Sequence, residues 1–229
     1  MKKLSILINK TLPVMAGYIV LGIGFGFLLK VKGFGILWAL AMSLFIYAGA
    51  LQYVGVSLLA SSASLITVAL TSLVINARHL FYGISMLNSY KGAGPKKVYM
   101  IHALTDETYS LVCGNEIPEG FTKHEYYFLI SLLDQSYWVL GSVLGSLLGS
   151  IIPGNMEGIE FSMTALFVTV FVEQWIGSKE HRPAIFGVLA SVACLFIFGR
   201  DNFIIPSMIA IVFLLSIFRK PIEKEVQHS

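Results

Sequence analysis

The sequence has little charge for its length. Of its 229 residues, 13% are charged and 56% are hydrophobic, whereas a soluble domain carries about 25% charged residues. Half of the usual charged surface is therefore missing, which excludes a water-soluble enzyme. The formal net charge of +3 is too small for a protein that follows a nucleic-acid backbone, so no nucleic-acid partner is expected.

Cysteines and the common catalytic motifs are also scarce. Cys113 and Cys194 both lie in apolar runs, so neither a disulfide framework nor a metal site is predicted. The sequence contains no phosphate-binding loop and no His-Glu-x-x-His zinc motif, which are the motifs most readily tied to a mechanism. We therefore predict a protein that is not an enzyme and that uses no metal or other cofactor.

Long apolar blocks make up most of the chain. A membrane-spanning helix needs ~20 apolar residues, and spanning strands would instead alternate apolar and polar residues. The fold class predicted is an all-α polytopic membrane protein with about 7–8 transmembrane segments, forming one transporter domain over 1–229. The blocks cover approximately 12–29, 34–60, 64–87, 125–152, 160–177, 183–198 and 203–218, with a weaker block at 98–113.

The basic residues suggest that two blocks do not cross the membrane. Lys and Arg are enriched in cytoplasmic loops, yet single crossings would place Lys91, Lys96 and Lys97 opposite the basic N-terminus. If 34–60 and 160–177 each fold back, eleven basic residues face the cytoplasm. The two blocks are then re-entrant or broken helices. The residues left outside are Lys30, Lys32, Lys123 and Arg200, with Glu116 and Glu119 on an acidic external loop.

Two parts of the chain resemble each other at an offset of 122 residues. Gln52-Tyr53-Val54-Gly55 is echoed by Gln174-Trp175-Ile176-Gly177, and Arg78 and Arg200 each follow 26 residues after the glutamine. Chance similarity among glycines and aromatic residues is the alternative. With folded-back blocks the halves 10–90 and 125–205 are antiparallel, which is the inverted repeat typical of secondary transporters. The looser match joins Gly22, Gly24 and Gly26 to Gly141, Gly145 and Gly149.

Polar residues inside the second and third blocks are candidates for substrate binding. A helix broken at Gly49 would present free backbone N–H groups to a carboxylate, and Arg78 suits bidentate carboxylate recognition. The alternatives are a packing surface around Gln52 and an arginine that reaches the interface. The candidate substrate-binding residues are Gly49, Gln52, Tyr53, Asn76, Arg78 and Gln174.

Acidic residues within the blocks are candidates for proton coupling. A charge in a span costs roughly 2.5–3.5 kcal/mol and usually marks a pathway or a paired site. His102 and Asp106 are four residues apart, so on one helix they share a face. The alternative is that 98–113 lies at the interface with its acids in water. The candidate proton-coupling residues are His102, Asp106, Glu107, Asp134 and Glu173.

The motifs resemble those of the AzlC family of branched-chain amino acid permeases. The similarity lies in Gly22-x-Gly24-Phe25-Gly26, Tyr47-Ala48-Gly49-Ala50-x-Gln52-Tyr53, Asn76-x-Arg78-His79-x-x-Tyr82-Gly83 and Thr105-Asp106-Glu107-x-Tyr109. The resemblance covers nearly the whole chain and weakens after about residue 150. It implies a protein of the bacterial cytoplasmic membrane that exports leucine, isoleucine or valine, and in some members methionine. It also implies a partner, a small membrane subunit of the AzlD type.

The expected function is therefore proton-coupled export of branched-chain amino acids by the large subunit of a two-component permease. Broken helices around Gly49–Tyr53 and Glu173–Trp175 would hold the zwitterion near the midplane. Two alternatives remain from other classes. A channel or scaffold subunit would need no acid in mid-span, and an intramembrane enzyme would have only His102 with Ser110 as a loose base and nucleophile.

Overall fold

The computed structural model describes residues 2–113, 117–151, 168, 171–172, 175–176, 181–199 and 203–218. Every regular element within these ranges is an α-helix, which confirms the all-helical class. The chain divides into two compact units, Met1–Met163 and Thr164–Ser229. The helices are α1 (Lys2–Val31), α2 (Ile36–Phe45), α3 (Gly49–Ala60), α4 (Leu65–Met86), α5 (Lys96–His102), α6 (Asp106–Val112), α7 (Lys123–Ile151), α8 (Arg182–Phe198) and α9 (Ile204–Ile217).

Three of the described helices are long and apolar enough to cross a membrane: α1, α4 and α7. The shortest of them, α4, has 22 residues and is therefore about 33 Å long, which matches a hydrocarbon core of ~30 Å. In the second unit α8 and α9 pack against each other. These helices account for the predicted blocks at 12–29, 64–87, 125–152, 183–198 and 203–218.

Helices α1 and α7 pack through glycines at very short range. A Cβ atom on Gly26 would overlap the carbonyl oxygen of Ser142, and one on Gly145 would overlap the carbonyl oxygen of Ile23. Only residues without a side chain permit this approach, as at other small-residue helix contacts in membranes. Of the glycines paired in the sequence, Gly22, Gly26, Gly141, Gly145 and Gly149 therefore lie in the contact between α1 and α7.

The two helices run in the same direction. Lys3 Nζ lies 3.0 Å from Glu125 Oε1 at their first turns, and Gly149 faces Lys30 near their last turns. An inverted repeat requires the paired segments 12–29 and 125–152 to be antiparallel, so the expected antiparallel relation does not hold for them. The reason is that the segment between α4 and α7 returns to the side from which it came.

The first broken helix is confirmed. Block 34–60 forms α2 and α3, which are about 15 and 18 Å long and cannot each span the membrane. Tyr47 adopts a positive φ of 40° between them, and the chain turns back there into α3. A Cβ atom on Gly55 would lie only 3.3 Å from the terminal methyl of Met42, a contact that a continuous helix cannot make. The second predicted fold-back, 160–177, lies mostly outside the described residues.

Block 98–113 forms a second hairpin rather than a weak span. Helices α5 and α6 have seven residues each. They are separated at Ala103 and Leu104, and Thr105 caps α6 by accepting a hydrogen bond from the N–H of Thr108. His102 ends α5 and Asp106 begins α6, so the expectation that they share one helix face is wrong.

The second hairpin also changes the sidedness of the following loop. Lys123 donates a 3.3 Å hydrogen bond to Ser89, and Gly120 lies near the Lys3 side chain. The start of α7 is therefore on the same side as the basic N-terminus, which the charge distribution assigns to the cytoplasm. The prediction that Lys123 and Glu119 face outside is wrong, because α5 and α6 do not cross. Glu116 lies outside the described residues.

The tips of the two hairpins meet beside α1 and α7. His102 Nε2 lies 2.8 Å from the carbonyl oxygen of Leu44, and the Tyr47 and His102 rings are 6.5 Å apart. The α2–α3 hairpin follows the end of α1, whereas the α5–α6 hairpin lies beside the start of α7. The hairpins thus enter from opposite sides, and their tips define the middle of the first unit.

Candidate functional site

An aromatic cluster surrounds the hairpin tips. The Tyr18 ring of α1 lies 5.5 Å from the ring of Trp138 on α7 and 6.5 Å from that of Tyr47, in edge-to-face arrangements. Phe25 stacks on Trp138 with centroids 6.2 Å apart. Tyr18, Phe25, Tyr47 and Trp138 are all buried. These rings form a rigid apolar frame around the polar groups described next.

Three of the candidate substrate-binding residues, Gly49, Gln52 and Tyr53, hold the first hairpin in place. Gln52 is fully buried; its side-chain oxygen accepts a 2.9 Å hydrogen bond from Trp138 Nε1, and its nitrogen donates to Ser43 Oγ at 3.4 Å. Tyr53 donates to the carbonyl oxygen of Leu21 at 2.7 Å. A Cβ atom on Gly49 would lie 3.0 Å from the Trp138 ring. Within the described structure these three residues pack the hairpin against α1 and α7.

Arg78 forms an ion pair with Asp106, linking α4 to the start of α6. The pair involves Arg78 Nη1 and Asp106 Oδ2, with side chains 34% and 19% exposed. Arg78 Nε and Asp106 Oδ1 are buried and make no hydrogen bond with the described residues. Arg78 is thus partly committed to a carboxylate of the protein itself, and it retains one buried donor that is free.

A chain of side-chain oxygens joins the buried carboxyl group of Asp134 to the partly buried one of Glu107. Asp134 Oδ2 accepts a 2.7 Å hydrogen bond from Thr108, whose Oγ1 is 3.1 Å from that of Thr105. Thr105 Oγ1 lies 2.7 Å from the Tyr18 hydroxyl, which is also 2.7 Å from Glu107 Oε2. The chain therefore connects α7, α6 and α1. Asp134 is fully buried, and its Oδ1 has no hydrogen-bond partner among the described residues.

A cavity of about 480 Å³ lies where the first break meets α4 and α5. Asn76 and His79 contribute polar groups, and Leu80, Ile84 and Ile101 contribute apolar walls. Asn76 Oδ1 and His79 Nδ1 are buried without a hydrogen-bond partner in the described part of the chain. Tyr47 and Ala48 of the break, and His102 of α5, also line the cavity. The cavity is of the size that small-molecule sites usually have.

The structure brings together some predicted residues and separates others. Asn76, Arg78, Asp106, Glu107 and Asp134 lie around the hairpin tips. His102 contacts the α2 backbone and is exposed rather than paired with Asp106. Glu173 and Gln174 lie outside the described residues.

Two aromatic residues of the cluster, Tyr18 and Trp138, were not singled out in the sequence. Tyr18 is a lone tyrosine in an apolar block, and its oxygen partners are 87 and 89 residues away, so no local pattern identifies it. Trp138 follows Asp134 by one helical turn, and that spacing was a usable signal. Thr105, which belongs to a family motif, is followed by Asp106 and Glu107; this is a typical helix start and could have located the beginning of α6.

Comparison with known proteins gives one family. The AzlC protein family model matches residues 13–152, which contain α1–α7 apart from the first residues of α1. No solved structure matches the chain closely enough to count as similar.

Relatives match over almost the whole chain. A protein of Bacillus subtilis named branched-chain amino acid transport protein AzlC is 41% identical over 214 residues, covering 93% of this chain and 84% of the relative. An uncharacterized membrane protein of Helicobacter pylori is 42% identical over 213 residues, covering 93% of both. The inner membrane protein YgaZ of Escherichia coli is 27% identical over 188 residues, covering 81% of this chain and 77% of the relative. With three membrane-length helices, the chain is a multi-pass membrane protein and belongs to the AzlC family.

Proposed function

We propose that this chain is a proton-coupled secondary transporter that exports branched-chain amino acids as the large subunit of a two-component permease. The name of the Bacillus subtilis relative supports the substrate class. Family resemblance is the basis for the small AzlD-type partner and for the outward direction. Leucine, isoleucine and valine are the expected substrates, together with methionine as a further one.

The observation that carries the proposal is the cavity at the first helix break. Two buried polar atoms, Asn76 Oδ1 and His79 Nδ1, have no hydrogen-bond partner among the described residues and lie beside its aliphatic walls. A branched-chain amino acid has the complementary groups, a polar zwitterionic end and an aliphatic side chain. The cavity volume of about 480 Å³ is large enough for such a molecule.

The start of α3 suits the substrate carboxylate. Helix α3 begins at Gly49, and its N-cap, Ala48, has no side chain that can accept from the free N–H groups. Both Tyr47 and Ala48 line the cavity. A helix N-terminus carries a partial positive charge and unpaired N–H donors, which together bind carboxylates. A further buried donor is Arg78 Nε, on the residue next in sequence to His79, which lines the cavity.

The ammonium and the side chain fit the α4 and α5 walls. Asn76 Oδ1 can accept from an ammonium group, and Leu80, Ile84 and Ile101 can contact the aliphatic chain. Leu80 and Ile84 are 62% and 67% exposed in this single chain, so lipid or the small subunit would complete that wall.

Proton coupling would use the carboxyl groups next to the cavity. Asp106, Glu107 and Asp134 lie around the tip of the second hairpin, and of these only Asp106 has a basic partner in the described structure. Buried carboxyl groups are common proton carriers in transporters. One of these carboxyl groups would take up and release a proton in each transport cycle. The proton gradient would in this way drive the movement of the substrate.

The test is leucine transport by the full chain in proteoliposomes, with and without the small subunit. We expect saturable leucine transport that a pH gradient accelerates. Asn76→Ala should raise the KM for leucine about tenfold, because it removes a hydrogen bond to a charged group. Asn88→Ala removes the same side chain from an exposed turn outside the cavity and is the matched control. Equal KM values for the two variants would contradict the proposed binding site.

A further inference from the structure

The polar chain between Asp134 and Glu107 has an unusual hydrogen count. It contains four oxygen–oxygen contacts, of 2.7, 3.1, 2.7 and 2.7 Å. A chain in which all four contacts are hydrogen bonds needs one hydrogen in each contact. Thr108, Thr105 and Tyr18 have one hydroxyl hydrogen each, so the three hydroxyls can fill only three of the four contacts.

In a fully hydrogen-bonded chain the fourth hydrogen comes from one of the two carboxyl groups. If both were ionised, one contact would have no hydrogen, and two negative charges would share one buried chain. Like charges at a shared site disfavour simultaneous ionisation, and Asp134, Thr105, Thr108 and Tyr18 are all buried from solvent. Arg78 is already paired with Asp106, so the arginine is not available to neutralise both.

We propose that Asp134 and Glu107 share a single proton, which moves between them along the hydroxyls of Tyr18, Thr105 and Thr108. This deepens the proposed transport function, on which it rests, by naming the path of the coupled proton. Tyr18, Thr105 and Thr108 become relay residues whose hydroxyl groups serve a purpose beyond packing.

The transfer balances without any other reactant. When the proton is on Glu107, Glu107 donates to Tyr18, Tyr18 to Thr105, Thr105 to Thr108, and Thr108 to Asp134. When every hydrogen shifts by one contact, the direction of all four bonds reverses, Asp134 carries the proton and Glu107 is ionised. One O–H bond forms and one breaks at each hydroxyl, and the pair keeps a net charge of −1 in both states.

The surroundings of the two ends differ, which gives the proton a direction. Among the described residues, the titratable groups within electrostatic reach of Asp134 are three neutral phenols and the other acid: Tyr47, Tyr99, Tyr126 and Glu107. Glu107 lies within reach of the charged Arg78–Asp106 pair. The other titratable groups that act on it are Tyr18, Tyr47, Tyr82, His79 and Asp134. A substrate that changes the Arg78–Asp106 pair would therefore act on one end of the chain and drive the proton toward or away from Asp134.

The amide variants give a direct test. An amide nitrogen is a donor, so the Asn side chain of Asp134→Asn can supply the fourth hydrogen to Thr108, and Glu107 then stays ionised. In Glu107→Gln the amide donates to Tyr18, and Asp134 stays ionised. Either single substitution should therefore remove one protonated carboxyl group from the protein, although each changes only one of the two acids.

The measurement is the carboxylic acid C=O stretch in the infrared spectrum of the full chain in lipid nanodiscs at neutral pH. We expect wild type minus Asp134→Asn and wild type minus Glu107→Gln to show the loss of one protonated carboxyl each. Glu125→Gln, at an exposed ion pair with Lys3, is the control and should remove none. A band that survives in one of the two variants, or that is absent from the wild type, would overturn the shared proton.

A second variant keeps the test valid if an amide substitution perturbs folding. Thr108→Val cuts the chain at a fully buried hydroxyl, and Thr108→Ser keeps it. In the valine background only one of the two amide substitutions should still remove the band, whereas in the serine background both should. Identical behaviour of the two backgrounds would contradict the relay. None of these infrared measurements depends on transport. If leucine transport fails, the infrared result still stands, so the two proposals can fail independently of each other.

Discussion

The Thr108 hydroxyl donates a 2.7 Å hydrogen bond to Asp134 Oδ2, and both side chains are fully buried. Thr108 lies in a seven-residue helix at the tip of a re-entrant hairpin, and Asp134 lies in a membrane-length helix of 29 residues. The bond therefore ties the short hairpin to the spanning helix. Among the described residues of the first unit, Asp134 is the most deeply buried acid, and this bond is its only one from a hydrogen-bond donor there.

The first prediction concerns this hydrogen bond. Thr108→Val has nearly the same shape but removes the donor, so we expect a loss of about 1–3 kcal/mol in the free energy of unfolding. Thr108→Ser keeps the donor and should lose less. Thermal unfolding in detergent, followed by the fluorescence of the tryptophans, would measure both. Equal stability of the two variants would show that the Asp134 contact does not contribute.

The second prediction concerns the glycine contact between α1 and α7. Gly26→Ala places a methyl group on the Ser142 backbone, and overpacking of this kind costs about 1–3 kcal/mol or more. Gly17→Ala lies in the same helix with nothing within 4 Å of the added Cβ atom. It should be neutral or gain up to about 1 kcal/mol in stability, because alanine favours helices. Melting temperatures of the two variants, compared with wild type, test the close parallel packing.

The third prediction concerns the Arg78–Asp106 ion pair. The side chains are partly buried, so the loss on breaking the pair should lie between about 1 kcal/mol for exposed pairs and about 3–5 kcal/mol for buried ones. Arg78→Gln and Asp106→Asn should each destabilise the protein, and the double variant should recover part of the loss. A double-mutant cycle measures this coupling; additive losses would contradict a direct pair.

The fourth prediction concerns sidedness. Because α5 and α6 form a hairpin, Lys123→Cys and Lys3→Cys should react with a membrane-impermeant thiol reagent from the cytoplasmic side. Lys32→Cys, beyond the other end of α1, should react from the outside. The background would carry Cys113→Ser and Cys194→Ser. Labelling of Lys123→Cys from the outside would show that 98–113 crosses the membrane.

The fifth prediction concerns the relay. Tyr18→Phe keeps the ring against Trp138 but removes the hydroxyl between Thr105 and Glu107, so proton-driven leucine transport should fall about 100-fold, the scale of one proton-transfer step. Tyr137→Phe removes a hydroxyl that also joins α1 to α7, through Thr11, but touches no acid. We expect its transport rate to match that of the wild type within about twofold. The pH dependence of transport should change only in the Tyr18 variant.

Much of the fold could be predicted from composition and block length. The hydrophobic blocks located α4, α7, α8 and α9, and the excess of basic residues at one side predicted the break near Gly49. The direction of α7 was not predictable from the blocks, because its sidedness depends on a turn of two residues at Ala103 and Leu104. A seven-residue helix with a polar start has no hydropathy signal of its own, so block 98–113 read as one weak span.

The candidate site was predictable only where depth in a block was itself a signal. Asp134 lies far from either end of its block, and the structure places it fully buried. Gln52 could likewise be recognised in the sequence as an amide within an apolar block. Its role, however, depends on contacts with Trp138 and Ser43, and those contacts are set by packing. Tyr18 carries no sequence signal, because its partners come from a hairpin nearly ninety residues later.

The most direct test of the account is proton movement driven by leucine in proteoliposomes containing the full chain and the small subunit. An imposed leucine gradient should drive a measurable pH change inside the vesicles, and Asp134→Asn should abolish it in protein that folds and inserts as the wild type does. Leucine transport that moves no protons, or a pH change that persists in Asp134→Asn, would contradict proton-coupled transport through the buried acids.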